Sequence, residues 1–118
     1  MAEAQLPADT WTRVTLAYDG SGKAEGVKVY YDGQPQKLGF ENNKFKRNSI
    51  KTPVPLTIGS RTPGSSAHGV GLADLVIHGR ALSEAEVRGV SLAATLAELV
   101  KLPPAERAKA AAGLYDWW

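Results

Sequence analysis

The chain has 118 residues and a formal net charge of +2, with 14 Lys and Arg against 12 Asp and Glu, which favours one domain with a single modest core. Its composition, 43% hydrophobic and 22% charged, is that of a globular rather than a disordered protein. Neither half of the chain carries the strong field of one sign expected of a dedicated nucleic-acid binder. The absence of cysteine excludes disulfides, thiolate metal sites and a cysteine nucleophile.

The sequence gives no sign of membrane insertion. No run approaches the ~20 apolar residues of a membrane span. The opening MAEAQLP lacks the basic and apolar regions of a signal peptide. We therefore expect no membrane partner, and the residues alone leave the compartment open.

Residues 10–80 are predicted to form antiparallel β-structure, because Gly and Pro punctuate segments rich in Val, Thr, Tyr and Ile. Residues 11–18 alternate, which places Val14, Leu16 and Tyr18 on one face. Residues 27–31 alternate again before Asp32-Gly33, a hairpin signal, and 34–40 would return as an edge strand. A short strand at 56–59 and a last strand at 71–78 follow the predicted loops 41–51 and 60–69.

Residues 83–118 are predicted to be helical. Ser83 and Glu86 fit a capping box. An apolar stripe at helical spacing follows, made of Leu92, Leu96, Leu99 and Val100. Pro103 and Pro104 end this helix, and a second helix is predicted from 106 to about 115. The chain thus divides into a β-sandwich portion, 1–82, and a C-terminal helical segment, 83–118.

Four segments carry a family resemblance. WTRVTLAYDG (11–20), VKVYYDG (27–33), PLTIG (55–59) and LADLVIHGRALS (72–83) resemble, in order, the strand and hairpin motifs of concanavalin A-like, laminin-G-type domains. The resemblance covers about residues 10–90. Residues 102–118 are similar to the helical linker after such domains in large planctomycete-type multidomain proteins.

The resemblance implies a mainly β fold, an antiparallel jelly-roll sandwich, here partial, followed by two α-helices. The family's sandwich needs more strands than residues 1–10 can supply, so we expect its front half to be missing. Two positions depart from the family pattern: Val70 replaces an aromatic residue before Gly71, and Ala73 replaces the first aspartate of a pair, which leaves Asp74.

The sequence favours a protein that is not an enzyme. Glycosidases need two carboxyl groups that flank the scissile bond, and the E-x-D-x-x-E pattern of the family's glucanases does not occur. Glu84 and Glu86 are explained by their place at a helix start.

We expect no cofactor and no metal. Asp19-Gly20-Ser21-Gly22 resembles a calcium loop but lacks the later bidentate Glu, so a turn is the better interpretation. Asp74 is either a calcium ligand, as the resemblance suggests, or a structural hydrogen-bonding group. His68 and His78 lack partners of the kind that zinc requires. Chelators should leave the melting temperature unchanged.

The ligand-binding candidates are Tyr30, Asp74 and Arg61. Either Tyr30 or Tyr31 must point outward from its strand, where it can stack on a sugar or cover a helix. Trp11, at the strand start, is expected to anchor the core. The alternative, single-stranded nucleic acid, depends on one loop that interleaves aromatic and basic residues, namely Phe40, Lys44, Phe45, Lys46, Arg47 and Lys51; a solvated hairpin tip explains it better.

The resemblance implies a non-catalytic binding or architectural module, carbohydrate-binding-like, from a larger exported protein. The rival hypothesis is a structural spacer that packs neighbouring domains without binding a glycan. Unpaired strand edges and an uncovered apolar face predict a homo-oligomer. Its interface would include the terminal aromatic residues Tyr115, Trp117 and Trp118.

Overall fold

The computed structural model describes residues 3–40, 53–60 and 64–112. Its strands are β1 (Val14–Tyr18), β2 (Val27–Tyr31) and β3 (Gln34–Pro35), and its α-helices are α1 (Glu84–Lys101) and α2 (Pro104–Ala110). One 3-10 turn, Ala24–Gly26, joins β1 to β2. The three strands form one antiparallel sheet in the order β1-β2-β3.

The register of β1 on β2 separates two chemically different faces. Val14 pairs with Tyr31, Leu16 with Val29 and Tyr18 with Val27. Because residues that pair across a sheet lie on the same face, these six apolar or aromatic residues form one face, called here the open face. The opposite face carries the pairs Thr15–Tyr30 and Ala17–Lys28.

The Asp32-Gly33 turn closes the β2–β3 hairpin as predicted. Both residues have left-handed backbones, with φ of 49° and 82°, which is the geometry of a type I′ turn. The Asp32 N–H donates to the Arg13 carbonyl at 2.9 Å, and the Arg13 N–H donates to Asp32 Oδ1 at 2.8 Å. These two bonds tie the turn to the residue before β1.

Helix α1 covers the face opposite the open face. Its Val87 is fully buried and clusters with Ala17 and Tyr30, and Leu82 packs against them. A β-carbon built on Gly33 would lie 3.1 Å from Ser91 Cβ, so the hairpin turn touches the helix. This small cluster is the core of the described residues.

The helix buries a different stripe from the one predicted. Val87 and Ser91, one turn apart, are its buried residues. Of the predicted stripe, Leu92 and Leu99 are half-buried, whereas Leu96 and Val100 are exposed. The sheet under α1 is only three strands wide and meets the first half of the helix. The second half, where the predicted stripe lies, therefore extends past the sheet.

The predicted helix start is confirmed. Ser83 Oγ accepts from the Glu86 N–H at 3.3 Å, and Glu86 Oε2 accepts from the Ser83 N–H at 2.8 Å. Both halves of the capping box are present. The second helix is shorter than predicted, since α2 ends at Ala110.

The strands predicted at 56–59 and 71–78 are wrong. Among the described residues of this region, only an isolated antiparallel bridge between Ser60 and Ser66 occurs. The predicted return strand at 34–40 is reduced to the two residues of β3. A strand needs a neighbour with which to share its ladder, and in the described part of the chain these segments have none.

The chain is more extended than a compact domain. Its accessible surface is 10026 Å², against about 6,200 Å² for a compact protein of this mass. Its radius of gyration is 16.8 Å, against about 13.5 Å for a compact domain of this length. The described residues thus supply one sheet and one covering helix, and they contain no second sheet. Within that same part of the chain, no helix has the length and apolar character to cross a membrane.

Candidate binding surface

The open face exposes apolar side chains at β1. Val14 and Leu16 are exposed, while Val27, Val29 and Tyr31 on β2 are half-buried. The tyrosine hydroxyls at the ends of this face are already bonded within the chain. Tyr18 Oη accepts from the Gly22 N–H at 2.7 Å, and Tyr31 Oη donates to the Ala4 carbonyl at 3.3 Å. The face therefore offers apolar contact and little hydrogen bonding.

Trp11 lies outside the core, which corrects the expectation from its position. Its side chain is 73% exposed and rests against Gly71, where a β-carbon would lie 2.9 Å from the indole Cη2. Because Gly71 has no side chain, the indole can pack against its backbone, and most of the ring remains accessible. The sequence held one signal of this exposure, because Trp11 follows a polar turn and lies before β1 begins at Val14.

Tyr30 is not an accessible aromatic residue in this structure. It is 1% exposed and packs beneath α1 with Ala17 and Val87. Of the two roles that the sequence left open, covering a helix is the one found here. While α1 is in place, the Tyr30 ring cannot stack on a sugar.

Asp74 is exposed, in an extended segment, with a left-handed φ of 53°. Its negative charge helps to raise the pKa of Lys101, although the hydrogen bond from Lys101 to Glu98 is the larger cause. Asp74 therefore lies on the side of the molecule that carries the end of α1. The candidate Arg61 lies outside the described residues, as do Tyr115, Trp117 and Trp118.

The Asp19-Gly20-Ser21-Gly22 segment forms a closed turn. Asp19 Oδ1 accepts from the Ser21 N–H at 2.8 Å, and the Asp19 N–H donates to the Gly26 carbonyl at 3.1 Å. Hydrogen bonding to Ser21 lowers the pKa of the Asp19 carboxyl group. The carboxylate is thus engaged in an Asx-type turn, as the sequence favoured.

Within the described residues, no three acidic, His or Cys side chains cluster as a metal site requires. His68 and His78 are both exposed. Of the aromatic and basic loop, only Phe40 is described, and it is exposed; Lys44, Phe45, Lys46, Arg47 and Lys51 lie outside the described residues.

The carboxylates at the start of α1 have structural partners. Glu86 caps the helix and also accepts from Arg80 Nη1 at 2.9 Å, and Glu84 pairs with Arg88 one turn later. The contacts of Glu86 with Arg80 and Ser83 hold the pKa of the Glu86 carboxyl group well below its ordinary value, with Arg80 as the largest cause. A carboxyl group with a lowered pKa is a poor general acid, because catalysis favours a pKa near the working pH.

A shallow apolar cleft lies in the segment between the sheet and α1. Ile58, Val70 and Leu72 line it together with the Ser60–Ser66 bridge. The Ala67 N–H donates to the Gly59 carbonyl at 2.6 Å, and Thr57 Oγ1 donates to the Ser60 carbonyl at 3.1 Å. These bonds fold the segment back on itself and place apolar side chains beside two serines.

A family model matches most of the chain. The model described as the concanavalin A-like lectin/glucanases superfamily matches residues 1–88, which include the whole sheet and the start of α1. No curated protein and no solved structure matches the chain.

Proposed function

The chain belongs to the concanavalin A-like lectin/glucanase superfamily, and we propose that it is a non-catalytic binding module whose ligand is a glycan. Exposed Trp11 is the observation that carries this proposal. Binding sites combine aromatic side chains with a few polar groups that fix orientation. Thr12 and Arg13 follow the indole directly and can supply such groups.

The packing of the indole against Gly71 supports a role in stacking on a sugar ring. Trp11 is held against Gly71 at one edge, so the ring is positioned but not covered. An aromatic ring that is both oriented and accessible binds at low entropic cost. A flat sugar face stacked on the ring would gain apolar contact, while its hydroxyl groups remain free for hydrogen bonds.

The non-catalytic part of the proposal is supported by the carboxylates. Glu84 and Glu86 are both engaged in ion pairs at the start of α1. The Asp19 carboxylate accepts a hydrogen bond from Ser21 within its own loop. None of these three is paired with another carboxyl group across a cleft, as glycosidic cleavage would require.

The test is a glycan array on the full chain, followed by calorimetric titration of the best-bound glycan. Trp11→Ala should weaken binding about 5-fold to 150-fold, since stacking on an aromatic ring is worth about 1–3 kcal/mol. Leu56→Ala is the matched control, because Leu56 is also 73% exposed but lies in another segment. Circular dichroism would establish that both variants are folded. An empty array, or equal affinity of Trp11→Ala and the wild type, contradicts the proposal.

The second candidate is an architectural module that packs neighbouring domains without binding a glycan. It is favoured by a run of exposed apolar residues between the sheet and α1, namely Val54, Leu56, Ile58, Val70, Leu72, Leu75, Val76 and Ile77. Exposed apolar surface of this extent marks a contact with another macromolecule. The glycan array separates the two candidates, since a purely architectural module would bind none.

We also propose that the module works in an exported protein, as laminin-G-type domains commonly do. Export here means transfer to the periplasm or to the outside of the cell, and fractionation into cytoplasm, periplasm and medium tests this part separately. A protein found only in the cytoplasmic fraction would contradict export.

A further inference from the structure

We propose that Asp32 is a positioning residue for Trp11: it holds the backbone beside the exposed indole, so that the ring keeps the orientation that stacking on a sugar needs. This inference rests on the proposed function, because it concerns the same site. It assigns that site a second residue, which acts through the backbone rather than through contact with the ligand.

Both polar backbone groups of Arg13 are bonded to Asp32. The Arg13 N–H donates to Asp32 Oδ1 at 2.8 Å, and the Arg13 carbonyl accepts from the Asp32 N–H at 2.9 Å. Only Thr12 lies between this anchored backbone and Trp11. Because each residue has just two soft backbone dihedral angles, few rotations separate the anchor from the indole.

The anchor is itself held against the core. Gly33, next to Asp32, is buried, and a β-carbon built on it would lie 3.1 Å from Ser91 Cβ on α1. Ser91 lies one turn from the fully buried Val87. A chain of contacts therefore leads from the core through the hairpin turn to the backbone beside the indole. Binding groups supported by rigid elements are placed more precisely than groups on loops.

The same hairpin also holds the chain ahead of Trp11. Tyr31 Oη donates to the Ala4 carbonyl at 3.3 Å, and the Glu3 N–H donates to the Lys37 carbonyl at 3.0 Å. The segment that carries the indole is thus tethered on both sides of the ring. The Asp32 tether is the nearer one, so its loss should have the larger effect.

Contact with Gly71 does not fix the ring by itself. Gly71 lies in an extended segment, 70–78, that belongs to no strand or helix. Segments without regular structure are the least stable parts of a fold. The rigid side of the contact between Trp11 and Gly71 is therefore the side that Asp32 anchors.

Asp32 can be replaced without disturbing its turn. Its φ of 49° suits Asn and Gly, both of which type I′ turns favour. Asn keeps a side-chain oxygen that can accept from the Arg13 N–H, whereas Gly removes it. The two variants therefore separate loss of the acceptor from loss of the turn.

Fluorine NMR of the full chain, labelled with 5-fluorotryptophan, follows the indole directly. The chain has three tryptophans, and the Trp11 resonance is the one that Trp11→Ala removes. Asp32→Gly should move this resonance toward that of the urea-unfolded chain. It should also weaken binding of the best-bound glycan about 2-fold to 12-fold, since ordering one side chain costs about 0.5–1.5 kcal/mol. Asp32→Asn should leave the resonance and the affinity unchanged.

Asp19→Gly is the matched control. Asp19 Oδ1 also accepts a backbone N–H at 2.8 Å, but Asp19 follows the end of β1 at Tyr18, whereas Trp11 precedes its start. This variant should leave the Trp11 resonance in place. Urea unfolding of both glycine variants measures what each loses in stability, so that a merely structural role of Asp32 would appear there without any movement of the resonance.

A Trp11 resonance that stays in place in Asp32→Gly overturns the proposal. So does an Asp32→Asn protein that behaves like Asp32→Gly, or an Asp19→Gly protein whose Trp11 resonance moves as far. If the wild type binds no glycan, the proposed function fails, and the fluorine spectra still decide whether Asp32 positions the ring.

Discussion

The Asp19 carboxylate lies over Gly26, so that a β-carbon at position 26 would collide with Asp19 Oδ1. The same oxygen accepts from the Ser21 N–H, and the Gly26 carbonyl accepts from the Asp19 N–H. A glycine at position 26 is therefore what allows the β1–β2 connection to close.

Gly26→Ala should destabilise the protein by about 1–3 kcal/mol, the usual cost of forcing extra atoms into a filled site. The carboxylate would have to move and lose its bond to Ser21. Urea unfolding followed by circular dichroism measures the change. Gly89→Ala is the control: beyond the backbone of its own helix, no heavy atom lies within 4 Å of its added β-carbon, and alanine in a helix should stabilise by about 0.5–1 kcal/mol. Equal losses in both variants would contradict this account.

Gly33→Ala tests the contact between hairpin and helix. Gly33 combines a φ of 82° with Ser91 Cβ at 3.1 Å and Arg88 Cα at 3.4 Å from the added β-carbon. We expect a loss of about 2–4 kcal/mol, from backbone strain together with displacement of α1.

The control for Gly33 is Gly59→Ala. Gly59 has a similar φ of 75° but no atom within 4 Å of the added β-carbon, so it should show the backbone cost alone, about 1 kcal/mol. The difference between the two variants, measured by urea unfolding, isolates the helix contact. A Gly33 variant no less stable than the Gly59 variant would show that the turn does not support α1.

Two neighbours on α1 should respond in opposite directions. Val87→Ala removes part of a fully buried side chain and should cost about 1–3 kcal/mol. Ser91→Ala should leave the stability unchanged or raise it by up to about 1 kcal/mol, because within the described part of the chain Ser91 Oγ is buried without a hydrogen-bond partner. Thermal unfolding of both variants checks this, and a large loss for Ser91→Ala would mean that its hydroxyl is bonded after all.

Local signals in the sequence predicted the parts of the fold that local interactions hold. The Asp32-Gly33 turn needs only two residues with left-handed backbones, and the capping box needs only Ser83 and Glu86. Both are confirmed, because their chemistry is complete within a few residues.

The parts that depend on distant partners were not predictable in this way. Residues 71–78 have the composition of a strand, but in the described residues no neighbour supplies a ladder. Trp11 has the size of a core residue, yet it lies on the surface, where its indole packs against Gly71, sixty positions along the chain. Tyr30 and Tyr31 could not be told apart by alternation alone. Only the position of α1 decides which ring is covered.

Acid should weaken the capped start of α1 through Glu86. Its pKa lies well below the ordinary value of 4.5, chiefly because of Arg80 and then because of the Ser83 N–H and hydroxyl groups. A carboxyl group with a lowered pKa in the folded state contributes stability above its unfolded pKa. That contribution is lost as the pH falls below about 4.5.

The urea midpoint of the wild type should therefore fall as the pH is lowered through this range, and the midpoint of Glu86→Gln should fall less. Arg80→Gln removes the largest cause but keeps the cap from Ser83, so its profile should lie between the two. If Glu86→Gln and the wild type lose stability in parallel on acidification, the pH dependence arises elsewhere and this assignment fails.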